Sequence, residues 1–159
     1  MNKRTIIKKI LGKLADELEV YFRVARFARA EATHEQNKAE NKYDTRGLEA
    51  SYLAHGQSKQ AAELEAAIAD FENLNDRSFA SGEPVGIGAL VEVEVGGDTS
   101  YYFIGPRAGG TEVLHDRKEI LVITPQSPLG AQLAGKKAGE QFLLTFGNAR
   151  QQATIVKVE

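Results

Sequence analysis

Apolar residues recur through the first part of the chain in alternating steps of four and three: Ile7, Leu11, Leu14, Leu18, Tyr21, Ala25, Ala28 and Ala32. The alternation returns at Tyr43, Gly47, Ala50, Ala54, Gln57, Ala61, Leu64, Ile68 and Phe71. Such spacing keeps one side of a helix apolar over many turns. It predicts two long helices, over 3–34 and 41–74, facing each other through an a/d seam. The polar run between them, Glu35–Asp44, holds no large aliphatic residue. So short a connection predicts antiparallel packing, a helical hairpin with 35–44 at its tip. The seam is Leu, Ile and Phe far from the tip and Ala and Gly near it, so the hairpin is expected to taper. A helix of roughly 30 residues reaches on the order of 45 Å.

After Leu74 the helical pattern stops. The Ser-, Gly- and Pro-bearing run 77–84 reads as a linker. From residue 85 the period becomes two, with Val91, Val93 and Val95 alternating with Glu92 and Glu94 before a turn at Gly96-Gly97-Asp98. Further strands are predicted at 101–104, 120–123, 141–146 and 152–158. Of the aromatic residues Tyr101, Tyr102, Phe103, Phe142 and Phe146, alternate members of each strand are expected in the core. Ser127 at an N-cap, Pro128 at N1 and Gly135 past the end mark one short helix. The fold class is therefore α+β: a hairpin over 1–76, a linker over 77–84, and over 85–159 a small, mostly antiparallel sheet domain with one helix.

Composition narrows the function. The 159 residues are 42% apolar with a net charge of -2, which does not announce a nucleic-acid binder. The distribution is uneven. Residues 1–32 carry eight Lys/Arg against four Asp/Glu, and residues 33–76 carry four against nine. Opposite charge favours pairing of the two predicted helices. The chain has no cysteine, which excludes thiol nucleophiles, disulfides and thiolate zinc and fits a reducing cytoplasm. No stretch approaches the ~20 apolar residues of a membrane span. His34, His55 and His115 lack metal-ligand spacing and read as surface or capping residues. Ser58 and Ser127 have no nearby base that would make either a nucleophile. Arg23, Arg26 and Arg29 step by three along the first helix and are candidates to contact nucleic-acid phosphate, or else form a solvated face.

The run Ser127–Glu140, SPLGAQLAGKKAGE, resembles the C-terminal signature of the Gre-type bacterial transcript-cleavage factors, roughly S-P-L-G-x-x-L-x-G-K-x-x-G-D, with the last Asp exchanged for Glu140. Glu40-Asn41 followed by Tyr43 resembles that family's tip motif D-x-x-E-N-x-E-Y. The resemblance implies an FKBP-like C-terminal domain that docks on bacterial RNA polymerase, with Ser127, Pro128, Leu129, Gly130 and Lys136 in the docking region. It implies that the hairpin enters the polymerase's secondary channel beside nascent RNA. The tip residues Glu40, Asn37 and Asn41 then assist the polymerase's own cleavage of backtracked RNA, and Glu40 contacts a shared Mg²⁺. The chain itself is expected to be no enzyme and to need no cofactor in isolation. It departs from the pattern at Asn37, where the family has Asp, and in a tip one residue shorter that lacks the second Glu. Glu35 and Asp44 are the possible substitutes. A channel-occupying regulator without cleavage activity is therefore the second expectation, and an FKBP-like prolyl isomerase or chaperone the third.

Overall fold

A computed structural model describes residues 1–34, 51–74 and 76–159. Helix α1 spans Lys3–His34, the range the periodicity predicts. Its buried positions are Lys3, Ile6, Ile7, Ile10, Leu14, Leu18, Phe22 and Ala25. The stripe thus differs from the strict seam, because Ile10 and Phe22 are buried where Leu11 and Tyr21 are only half-buried. A straight helix has 3.6 residues per turn, so a 3.5-residue repeat drifts around its surface and its neighbours take over.

The second helix is not continuous over 41–74. Within the described residues the chain is non-helical at 52–54, and α2 spans His55–Glu72. The start is fixed locally. The carbonyl of Ala54 accepts the Ser58 amide at 2.9 Å, and the Ala54 amide donates back to Gln57 Oε1 at 3.2 Å. That is one half of a capping box, supplied by a residue the seam reading counted as interfacial. The seam positions Tyr43, Gly47 and Ala50 lie outside the described residues.

Contacts divide the chain into two units, one of residues 12–69 and one of 1–11 with 70–159. In the first, Leu18, Phe22, Ala25, Leu53 and Ala61 form a core edged by Tyr21, Tyr52, Leu64 and Ile68. The second is built on a six-stranded sheet. Its strands are β1 (Leu90–Val95), β2 (Asp98–Ile104), β3 (Glu112–His115), β4 (Lys118–Ile123), β5 (Gln141–Phe146) and β6 (Ala149–Val158). Their spatial order is β3-β4-β2-β1-β6-β5, and the β2–β4 pair alone among them is parallel. Between β4 and β5 runs helix α3, Pro128–Leu133. The protein is α+β, with a long N-terminal helix and a mostly antiparallel sheet carrying one short helix.

One sheet face supports the main core. Val91, Val93, Tyr102, Ile104, Ile123, Leu144, Ala153 and Ile155 pack with Leu133 of α3, and Leu129 lies against them. The other face is also covered. Phe71, near the end of α2, lies 6.1 Å from the Phe103 ring, and Leu90, Phe103, Ile120 and Val122 are all buried. This corrects the expectation of alternation on β2, where adjacent Tyr102 and Phe103 are both buried. Alternation reports burial only when a single face meets the core.

Residues 76–89 are held to this unit by several bonds. Phe79 and Val85 join the main core, and the Val85 amide donates to the Lys136 carbonyl at 2.7 Å. Lys3, the buried cation of α1, donates to the carbonyls of Arg77 and Gly88 and lies 4.8 Å from the Phe79 ring centroid. Burial pulls its ammonium below the ordinary lysine value. Strand β3 was not among the predicted strands. It joins β4 by a two-residue turn in which Asp116 and Arg117 both have positive φ, 51° and 62°. The turn places His115 inside, which corrects its reading as a surface residue. His55 is exposed at the first position of α2.

Candidate functional site

The Ser127–Glu140 run folds as one continuous set of local bonds around α3. Ser127 has extended backbone, φ -67° and ψ 154°, and its Oγ accepts the Gly130 amide at 3.0 Å. The same hydroxyl donates to the Thr124 carbonyl at 2.8 Å, which fixes the entry to the helix. Pro128 follows at the first turn, where its missing amide costs no bond. Leu129 packs on the core and Leu133 is fully buried. Gly130 is required by space, since a Cβ there would lie 1.8 Å from the Thr124 oxygen.

The exit is as closely specified. The Gly135 amide donates to the Val85 carbonyl at 2.9 Å from a left-handed backbone, φ 81°. Lys136 binds Val85 through its carbonyl, and its ammonium lies 4.8 Å from the Phe142 ring centroid. Glu140, the one departure from the family pattern, accepts the Lys137 amide at 2.6 Å through Oε2. Its longer side chain therefore closes this turn. Of the five residues in the implied docking region, Ser127, Gly130 and Lys136 each have a structural role. Pro128 is exposed, and Leu129 is half-exposed. The solvent side of α3 also carries Ala131, which is exposed, and half-exposed Gln132.

The implied tip residues Glu35, Asn37, Glu40, Asn41 and Asp44 lie outside the described residues. Among the described residues no group of three or more His, Asp or Glu could hold a metal. The donor chemistry of the tip stands in the sequence alone: the carboxylate of Glu40 with the amides Asn37 and Asn41 near it in sequence, and the carboxylates Glu35 and Asp44 at the two ends of the run. Such a set suits Mg²⁺, which takes one or two protein carboxylates and fills its shell with water and phosphate oxygens.

The three arginines differ in surroundings. Arg23 is exposed, Arg26 pairs with the Glu19 carboxylate, and Arg29 is half-buried. Beside them runs a feature the sequence reading passed over. Val20, Val24 and Phe27 are 54%, 45% and 70% exposed, an apolar stripe at steps of four and three on α1. The signal was present as a second set of the same spacing, displaced from the seam. Among the described residues no helix is long and apolar enough to cross a membrane.

No protein-family model matches the chain, and no curated protein matches it. Among solved structures it is similar to GreA factor homolog 1 (Gfh1) of Thermus thermophilus, at 21% identity over 98% of this chain and 93% of that chain, with a TM-score of 0.40. It is similar also to Gfh1 of Thermus aquaticus, at 24% identity over 95% of this chain and 94% of that chain, with a TM-score of 0.41. A third structure, described as the transcription factor Gfh1, matches at 24% identity over 95% and 94%, with a TM-score of 0.40.

Proposed function

We propose that this protein is a transcription elongation factor that binds bacterial RNA polymerase, docking through its sheet domain and directing 35–44 into the secondary channel. The observation that supports this reading is the Ser127–Glu140 run. It keeps the family signature but for Glu140, and its glycines, serine and leucines have identifiable duties around α3. A surface presented by α3 would then be held rigidly, as a docking element requires. In this reading Glu40 supplies a carboxylate to a Mg²⁺ shared with the polymerase, which would activate water for cleavage of backtracked RNA. In this reading the catalytic site is the polymerase's own, and this chain assists it.

One observation favours a second reading, occupation of the channel without cleavage. Asn37 stands where the family pattern has Asp, so the tip brings one less negative charge to a cation. The test is direct. Immobilised full-length protein is expected to retain core RNA polymerase, and stalled backtracked complexes then report whether the RNA 3′ end shortens. Binding with shortening supports the first reading, and binding without shortening supports the second. Absence of binding overturns both.

A further inference from the structure

Among the described residues β5 is the outermost strand of the sheet and pairs with β6 alone. The β5–β6 hairpin closes through Gly147-Asn148, with Phe146 opposite Ala149. In a two-residue hairpin the pair flanking the turn exchanges hydrogen bonds, and the next pair does not. Thr145 therefore points its amide and carbonyl away from β6, as do Leu143 and Gln141 along the same edge. Edge strands usually carry charges, Pro or a covering element that discourages pairing with another chain. Here the strand reads Gln-Phe-Leu-Leu-Thr-Phe, with no charge and no Pro.

Part of that edge is covered by the side chain of Gln132. Gln132 of α3 accepts the Thr145 amide through Oε1 at 2.8 Å and donates Nε2 to the Thr145 carbonyl at 3.1 Å. Its Nε2 also donates to the Pro128 carbonyl at 3.0 Å, so the amide is anchored to its own helix. The side chain thus presents to Thr145 the acceptor and donor that a neighbouring strand would present. Among the described residues no side chain bonds the outward backbone groups of Leu143 or Gln141 in this way, and the Leu143 side chain is 52% exposed.

We propose that the outer edge of β5 is a strand-pairing surface fitted to β5 of a second copy of this chain, and that Gln132 keeps it shut. The occupant follows from charge and register. In a two-fold antiparallel pairing centred on Leu143 every residue meets its own strand reversed. A charge at the central position 143 would meet its like across the two-fold, which is unfavourable. This uncharged strand avoids that penalty and brings the two exposed Leu143 side chains together. Central pairing exchanges hydrogen bonds between the two Leu143 residues, while both flanking pairs join Gln141 of one copy to Thr145 of the other. With Gln132 in place the flanking pairs cannot form, and only the central pair remains.

The test is independent of any polymerase. Sedimentation of the full-length protein from low to high micromolar concentration is expected to show wild type at its monomer mass of 17.4 kDa. Gln132→Ala is expected to move toward twice that mass, with a dimer dissociation constant lower than wild type by about tenfold or more. Circular dichroism establishes that the variant is folded. Adding Leu143→Lys to Gln132→Ala sets two ammonium groups face to face and is expected to restore the monomer. The proposal is overturned if Gln132→Ala and wild type sediment alike at every concentration. It is equally overturned if the double variant associates as strongly as Gln132→Ala, because the contact then lies away from β5.

Discussion

Gly130 sits so close to Thr124 that a Cβ on the glycine would lie 1.8 Å from the Thr124 carbonyl oxygen and 2.7 Å from its carbon. Both of these Thr124 atoms belong to the backbone, so no side-chain rotation relieves the overlap. Gly130→Ala must push α3 away from the loop that ends β4 and lift Leu133 from the core. The expected cost is about 3 kcal/mol, the upper part of the overpacking range. Ser127→Ala, which loses the cap but adds no atom, is expected to cost about 1 kcal/mol. Thermal or urea unfolding of the two variants checks the order, and an equal loss would mean that space at Gly130 is not the constraint.

Lys3 provides a pH prediction. Its folded-state value is lowered, chiefly by burial, with Asp76 acting in the opposite direction. A base with a lowered folded value binds protons more weakly in the fold than in the unfolded chain. Its charged form therefore carries a stability penalty at neutral pH. The penalty lifts as pH rises through the lowered folded value toward the ordinary 10.5. Lys3→Met removes the titration but leaves the carbonyls of Arg77 and Gly88 without this donor, at about 1–3 kcal/mol if water does not replace it. The stability of wild type relative to Lys3→Met is expected to grow as pH rises through the lowered folded value and to level off above the ordinary 10.5. Chemical denaturation at a series of pH values measures it, and a flat difference would contradict the assignment.

The sheet unit includes more than the residues after the linker. Phe71 is 1% exposed, its ring meets Phe103, and its edge would meet a Cβ on Gly105 at 2.8 Å. A fragment of 85–159 lacks this residue and the first turns of α1, and so uncovers Phe103, Ile120 and Val122. It is expected to bind a hydrophobic dye and to aggregate, as exposed apolar patches do. In the full chain, Phe71→Ala is expected to cost about 3–5 kcal/mol. Docking experiments with isolated domains therefore need residues 70–84 and the start of α1. A soluble, cooperatively unfolding 85–159 fragment would refute this.

Much of this architecture was legible from the sequence because its signals are local. The bounds of α1 follow from apolar spacing, and α3 follows from Ser127, Pro128 and Gly135. β1 and its turn follow from alternating valines before Gly96-Gly97. The misses share a different cause. The break before α2 depends on Gln57 turning back to the Ala54 amide, which its place in a heptad repeat concealed. β3 has four residues, and its turn uses Asp116 and Arg117 where an Asn-Gly pair would have marked it. Burial of Lys3 and of both Tyr102 and Phe103 depends on segments remote in sequence. Gln132 reads as an ordinary exposed helical residue until Thr145 is placed beside it. The tip was legible as chemistry only, through the types and order of Asn37, Glu40 and Asn41.

That chemistry gives the prediction with most at stake for the proposed function. If the protein promotes cleavage, Glu40 is its main carboxylate, since it keeps the family's Glu-Asn pair. Glu40→Gln removes a charge with little change of shape. It is expected to abolish stimulated shortening of the RNA 3′ end while leaving polymerase retention unchanged. Asn37→Asp restores the family's acid and so adds a carboxylate three residues before Glu40. Its stimulation is expected to exceed that of wild type, most visibly at limiting Mg²⁺, because a second carboxylate raises affinity for a hard cation. The two variants separate the readings of the tip. An inactive wild type that gains cleavage through Asn37→Asp is an occupying regulator disarmed at that position. If wild type is active and Glu40→Gln matches it, the metal contact belongs to another acid, and Glu35→Gln and Asp44→Asn become the deciding variants.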